Sequence, residues 1–212
     1  MKFIYLVIAT LIITFDATSQ VQFNVFAGSL VSTAYYKVND SRQNTGNKIG
    51  FQAGLGMKVP FENNFYFAPS VFYSLKGYTV KLDSRVFPPD PEASENDVTL
   101  HTVDIAALFH IDLSDKQNHF FLNFGPSLDL QLSGKENFKL LSGETVNKKM
   151  RFSFGDYGRY AISAIGRFGY RYHSGLFIFA QYNLGLGSIN NADNGPKILH
   201  RVFGVSVAKV IK

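Results

Sequence analysis

The chain has 212 residues, of which 46% are hydrophobic, 15% aromatic and 17% charged, with no cysteine and no tryptophan. The charged fraction is below the roughly 25% usual for soluble domains, which argues against a disordered chain. The absence of cysteine excludes disulfides and thiolate metal sites. The formal charge of +5 comes from scattered residues, whereas nucleic-acid binding requires a basic stripe or cluster.

The chain begins with the pattern of an export signal. Lys2 precedes an apolar run over residues 3–15. As a helix, this run spans about 20 Å, too short for a hydrocarbon core of about 30 Å. Ala17 and Ser19 supply the small residues of a cleavage site. We predict a signal peptide over 1–19 and one mature domain over 20–212; an uncleaved anchor helix is the less favoured alternative.

Eight segments of the mature chain alternate between apolar and polar residues with period two, as β-strands with one apolar face do. In residues 103–113 every odd position is apolar, whereas Asp104, His110 and Asp112 lie on the even positions. The other segments are 21–36, 48–59, 65–82, 120–133, 160–172, 176–187 and 198–211. The regular runs exceed the about five or six residues of ordinary strands. Ten tilted residues cross the apolar band of an outer-membrane barrel, about 25 Å tall.

The connections between these segments are alternately long and short. The long ones are 37–47, 83–97, 134–158 and 189–197, and the short ones are 62–64, 114–119 and 173–175. This order predicts an all-β fold, an eight-stranded antiparallel up-and-down transmembrane β-barrel with short periplasmic turns and longer outer loops. The connection 134–158, with a net charge of +2, is expected to extend as a hairpin and is the best candidate for a partner contact.

The uniformly apolar face is assigned to lipid and the mixed face to the lumen, because an apolar core does not tolerate unpaired charges. We predict that salt bridges and hydrogen bonds fill the lumen, formed by Lys58, Lys76, Asp104, His110, Asp112, Asp129, Arg167 and Arg171. Four large side chains are predicted to plug the periplasmic end, namely Tyr66, Phe121, Phe177 and Phe179. A porin is therefore not expected.

The sequence points to no catalytic residue, metal site or cofactor, but several alternatives stay open. The lumen charges could form a proton or ion relay, and His110 with Asp112 could bind a metal if a third ligand were present. Asp97, His101 and His200 lie at predicted outer strand ends, where a barrel enzyme acting on lipid or peptide would carry acid–base groups. A secreted, lipocalin-like ligand binder would instead require the apolar face to point inward.

Several stretches resemble the PorT-like outer-membrane β-barrel proteins of Bacteroidetes. They include FLNFGPSLDLQLSG at 121–134, DYGRYAISAIGRFGYRYHSGLFIFAQYNLGLGSI at 156–189 and RVFGVSVAKV at 201–210. The motifs that carry the resemblance are Lys76-Gly77, Gly125-Pro126 and residues 182–186. The chain departs from common outer-membrane barrels at its end, where Lys209 and Lys212 stand near the usual position of a final aromatic residue.

The resemblance implies a small barrel of the bacterial outer membrane, with some members linked to secretion or maturation of surface proteins, and it offers no catalytic motif. We therefore expect a non-enzymatic, monomeric envelope protein with a structural or interaction role. The expected partners are outer-membrane lipid and lipopolysaccharide, with an envelope or secretion protein as a further candidate. No nucleic-acid partner and no cofactor are expected.

Overall fold

The computed structural model describes residues 21–82, 92–193 and 195–211, so the predicted signal peptide at 1–19 lies outside the described residues. The strands are β1 Gln22–Val38, β2 Ser41–Arg42, β3 Asn44–Gly46, β4 Lys48–Glu62, β5 Phe65–Phe67, β6 Ser70–Lys81, β7 Ala93–Ala106, β8 Phe109–Asp112, β9 His119–Leu140, β10 Thr145–Lys149, β11 Tyr160–Arg171, β12 Leu176–Gly185 and β13 Lys197–Ile211. Within these ranges, no helix is long and apolar enough to cross a bilayer.

The strands form one closed antiparallel ring. Strand β1 pairs with β4 on one side and with β13 on the other, and β9 pairs with β11 to complete the circle. Strands β5 and β6 together form one interrupted barrel strand, as do β7 and β8. The described part of the chain therefore builds a barrel of eight strands, each beside its neighbours in sequence. This confirms the predicted up-and-down topology.

The alternation of side chains separates an apolar outer surface from a polar interior. Ile49 is 81% exposed and Phe109 is 54% exposed on the outside of the wall, whereas Gln131 is fully buried in the lumen. Leu128 and Ile178 also point outward. The apolar face therefore surrounds the barrel, as predicted, and the inverse arrangement of a lipocalin-like binder is excluded.

Two prolines coincide with the interruptions in the wall. Pro69 separates β5 from β6, and its carbonyl accepts a hydrogen bond of 2.9 Å from the Met57 amide. Pro126 of β9 lies beside the break between β7 and β8, and its carbonyl accepts from the Ala107 amide at 3.0 Å. Because proline has no amide hydrogen, the ladder cannot continue unbroken at either position.

The two ends of the barrel differ in height. At one end, the turn end, the strands are joined by the short connections. At the other, the loop end, β9 continues to Leu140 and pairs with β10 as a hairpin, as predicted. Strand β7 begins at Ala93, so Asp97 lies within a strand and the predicted extent of the connection, 83–97, is wrong. The reason is that Asp97 pairs with Thr79 of β6 and Asn137 of β9, both in the raised wall.

Candidate functional site

A buried ionic triad occupies the middle of the lumen. Lys76 Nζ lies 3.1 Å from Asp104 Oδ1 and 2.9 Å from Asp129 Oδ2. Ser74 Oγ donates a hydrogen bond of 2.5 Å to Asp104, and Ser163 Oγ donates one of 3.0 Å to Asp129. Neighbouring strands supply these groups, because the inward parity of each strand places them at the same level. With all three groups ionised, the triad has a formal net charge of −1.

A second polar group, at the turn end, converges on Asp112. Its Oδ2 atom accepts from Lys58 Nζ at 2.5 Å, and its Oδ1 atom lies 2.7 Å from His110 Nε2 and 2.9 Å from His119 Nε2. The Lys58 ammonium also lies 3.8 Å from the centroid of the Tyr66 ring. Sequence reasoning missed His119 because it was assigned to a turn; its position immediately before the first apolar residue of β9 was the available signal.

Arg167 departs from the predicted network. No carboxylate in the described residues forms an ion pair with it; its Nε atom donates a 2.6 Å hydrogen bond to Gln181 Oε1. Its guanidinium carbon lies 5.1 Å from the ring centroid of Phe26, 5.3 Å from that of Phe72 and 5.0 Å from that of Phe179. Cation–π contact therefore replaces the expected salt bridge.

The predicted lumen charges thus lie in the barrel but in separate groups. Arg171 likewise has no carboxylate partner in the described residues and donates to Gln22 Oε1 at 2.7 Å. The aromatic rings around Arg167 lie between the two groups, since Phe72 pairs with Asp104 of the triad, while Phe26 and Phe179 line a cavity together with His110 of the group at Asp112. Packing of these rings, rather than charge, divides the interior.

Three of the four predicted plug residues contact one another. The ring centroids of Phe121 and Phe177 are 5.7 Å apart, and those of Phe177 and Phe179 are 6.2 Å apart. Tyr66 instead packs edge-on against His110, with centroids 5.6 Å apart. The cavity beside Phe121 and Arg167 measures about 40 Å³, which holds only a few water molecules.

The residues considered for an enzyme have separate partners. Asp97 forms a short salt bridge with Lys48, and His101 Nδ1 lies 2.5 Å from the Tyr73 hydroxyl. His200 packs edge-on against Tyr78, with ring centroids 5.7 Å apart. Among the residues that the structure describes, no group of three or more His, Asp or Glu side chains is arranged to hold a metal ion.

A cavity of about 790 Å³ opens at the loop end, and we refer to it as the outer cup. Its floor consists of Tyr36, Asn96, Glu136, Phe138 and Tyr157, and its rim includes Lys148, Arg151, Asp156 and Asn190. The floor residues come from the raised ends of β1, β7 and β9 and from the segment after β10. Sequence reasoning selected the connection 134–158 but not Glu136 or Asn96, because the inward parity of β7 and β9 was not extended above the membrane.

A buried carboxylate organises the floor of the outer cup. Glu136 is 7% exposed, and its Oε1 atom accepts from Asn96 Nδ2 at 2.9 Å and from the Tyr157 hydroxyl at 2.6 Å. Burial, followed by the nearby Tyr78 hydroxyl and the Glu136 charge, raises the pKa of Tyr157 well above its usual value. Tyr157 therefore stays protonated and acts as a hydrogen-bond donor at neutral pH.

Comparison with known proteins agrees with this architecture. Residues 15–191 match the family described as outer membrane protein beta-barrel domain. The chain belongs to that family. The protein is accordingly a barrel of the bacterial outer membrane, with its exposed apolar belt in lipid, its short turns in the periplasm and its longer loops outside.

Two solved structures are similar to this outer-membrane barrel. One is Ail, the attachment invasion locus protein of Yersinia pestis, in complex with the heparin analogue sucrose octasulfate. Its TM-score is 0.47 at 11% identity, over 90% of this chain and 99% of that one. The other is Neisserial surface protein A, with a TM-score of 0.44 at 16% identity over 88% and 96% of the two chains. A comparison with curated protein sequences finds no match.

Proposed function

We propose that this outer-membrane barrel is a non-enzymatic, non-conducting protein that serves the envelope through its rims rather than through its lumen. The observation that carries the proposal is the filled interior. The Lys76–Asp104–Asp129 triad crosses the middle of the bore. Phe121 and Phe179 lie near the turn ends of β9 and β12, and both pack on the ring of Phe177. An ion that passed this interior would have to displace paired charges from a dry environment, at a cost of several kcal/mol.

Planar-bilayer recording tests the closed lumen. We expect the purified protein to give no stable conductance steps. The double variant Phe121→Ala/Phe179→Ala removes two rings from the plug, so conductance should be easiest to detect in it. Phe120→Ala removes a ring from the lipid side of β9 and is the control for the effects of mutation and purification. Stable open channels from the unmodified protein would contradict the proposal.

The separate partners of Asp97, His101 and His200 support the proposed absence of enzymatic activity. A hydrolase would bring its acid and base within hydrogen-bond reach of one reacting group. Lipid and peptide hydrolysis should therefore stay at the level of the barrel-free control. Turnover that disappears in Asp97→Ala or His101→Ala would overturn this part of the proposal.

The outer rim is the proposed contact surface. The β9–β10 hairpin stands above the membrane with Lys135, Lys139, Lys148 and Lys149 on it, which supports contact with lipopolysaccharide phosphates or an acidic envelope protein. A link to secretion of surface proteins is supported only by the PorT-like resemblance. Cross-linking from Lys135 or Lys139 in native envelopes, together with surface-protein secretion in a deletion strain, tests both points. Normal secretion in that strain would remove the link.

A further inference from the structure

From the geometry of the outer cup, we infer a binding site for a small zwitterion of the aminoalkyl phosphate class, whose ammonium group meets Glu136 and whose phosphate meets Lys148 and Arg151. The inference rests on the proposed function and gives the outer rim a ligand class. A cavity of about 790 Å³ lies within the usual size range of small-molecule sites.

The first argument is the open half of the Glu136 carboxylate. Both hydrogen bonds from the described residues go to its Oε1 atom. Its Oε2 atom receives none of them, and no Lys or Arg in the described residues forms an ion pair with Glu136. A buried carboxylate without a cation is costly. An ammonium group in the outer cup would supply the missing charge and up to three donors.

Asn96 provides a second, independent acceptor. Its Nδ2 atom donates to the Glu136 carboxylate, which fixes the orientation of the amide. The Oδ1 atom is consequently directed away from that bond, and it is buried without a hydrogen-bond partner in the described residues. Asn96 is only 4% exposed and lines the outer cup. A buried acceptor left unpaired is unfavourable, and a donor on a ligand would satisfy it.

The aromatic walls favour a cation over a neutral donor. Tyr36, Phe138 and Tyr157 line the outer cup, and ring faces attract ammonium groups. The ammonium of Lys148 already lies 5.4 Å from the centroid of the Phe138 ring, so this ring accepts a cation in the present structure. One carboxylate and one amide oxygen are too few ligands for Ca²⁺, which takes about six to eight oxygens.

The rim completes the match to a zwitterion. Lys148 and Arg151 lie at the mouth of the outer cup. Among the described residues that line it, the exposed carboxylate is that of Asp156, which accepts a hydrogen bond from Ser153 Oγ at 2.8 Å. Cations at the mouth and a carboxylate at the floor favour a ligand that carries an anion at one end and an ammonium at the other. Aminoalkyl phosphates have this polarity, both as free compounds and as the headgroup of ethanolamine lipids.

Calorimetric titration of the full-length barrel in maltoside detergent tests the site, because maltosides carry neither amine nor phosphate. We expect saturable binding of O-phosphoethanolamine, weaker binding of ethanolamine, and none of ethyl phosphate. Glu136→Gln should weaken O-phosphoethanolamine binding about tenfold or more, since a charge-assisted hydrogen bond is lost. Glu144→Gln, an exposed carboxylate in the same hairpin, is the matched control and should leave the affinity unchanged.

Lys148→Ser separates the two halves of the ligand. It should weaken O-phosphoethanolamine and leave ethanolamine unchanged. Tighter binding of both compounds by Lys148→Ser would mean that the Lys148 ammonium is itself the occupant of the floor, and would overturn the inference. So would equal binding by ethyl phosphate, no binding at millimolar concentration, or an unchanged affinity in Glu136→Gln. Heat-modifiable gel mobility verifies that each variant is folded.

Vesicle flotation then identifies the source of the ligand. Barrels are added to vesicles of phosphatidylethanolamine and phosphatidylglycerol, or to vesicles of phosphatidylglycerol alone. If the headgroup is the natural ligand, the vesicles that contain phosphatidylethanolamine should displace O-phosphoethanolamine from the barrel, and the vesicles of phosphatidylglycerol alone should not. Retained binding in both supports a free aminoalkyl phosphate. Loss of this site would leave the closed lumen intact in bilayer recordings, so failure of the inference is distinguishable from failure of the proposed function.

Discussion

Asp104 of β7 and Asp129 of β9 lie directly opposite each other inside the barrel, and Lys76 of β6 bridges their carboxylates. Two like charges at directly opposed positions of a sheet repel each other, and burial removes the water that would screen them. The lysine therefore makes this pairing of strands possible.

Lys76→Met should destabilise the barrel by about 3–5 kcal/mol, because it leaves two buried carboxylates without a cation. The measurement is the urea midpoint of unfolding in lipid vesicles, followed by heat-modifiable gel mobility. Lys116→Met, at an exposed periplasmic turn, should change the midpoint little. An unchanged urea midpoint for Lys76→Met would show that Lys76, Asp104 and Asp129 are not all ionised in the folded barrel.

Arg167→Met should behave differently from Lys76→Met although both remove a buried cation. Arg167 has ring faces and one glutamine as partners but no carboxylate in the described residues, so its removal leaves no close partner charge unpaired. We expect stability to be unchanged or raised by about 1–4 kcal/mol, as when buried charges are replaced by apolar groups of similar volume. The same unfolding assay decides, and a loss as large as that of Lys76→Met would contradict the separation into groups.

Ile178→Arg should destabilise the barrel by about 1–2 kcal/mol, because the side chain points into the apolar belt near the start of β12, and the cost of arginine on the lipid face falls from the bilayer midplane towards the interface. Gln117→Arg introduces the same side chain at the exposed periplasmic connection, and should be tolerated. Vesicle-based folding yield and the urea midpoint report the difference. Equal tolerance at both positions would place Ile178 outside the belt.

Gly125→Ala should impair folding, because a Cβ atom there would stand 2.2 Å from the Ala107 carbonyl oxygen. Backbone rather than a flexible side chain is the obstacle, so the wall itself must shift at the break between β7 and β8. Gly166→Ala is the matched control, since a Cβ at that position meets no atom within 4 Å. The folded fraction in detergent, read from gel mobility, should fall for the first variant and stay constant for the second.

The architecture was predictable from the sequence because it depends on periodicity. Long runs with apolar residues at every second position identified which side of each strand faces lipid, as Phe109 and Ile178 illustrate. The alternation of short and long connections then implied an even number of strands and an up-and-down order. The inward position of Lys76, Asp104 and Asp129 followed from the same parity, since a side chain's face is a local property of a strand.

Which inward residues meet each other was decided only by the tertiary structure. The stagger between strands brings His119 to Asp112 and surrounds Arg167 with Phe26, Phe72 and Phe179, and no single strand encodes that stagger. The height of the wall was also hidden, because residues 93–97 become strand only by pairing with the raised parts of β6 and β9. The outer cup and its carboxylate Glu136 arise from that pairing. Contacts around the bore depend on register between strands, whereas the face of each side chain depends on its own strand alone.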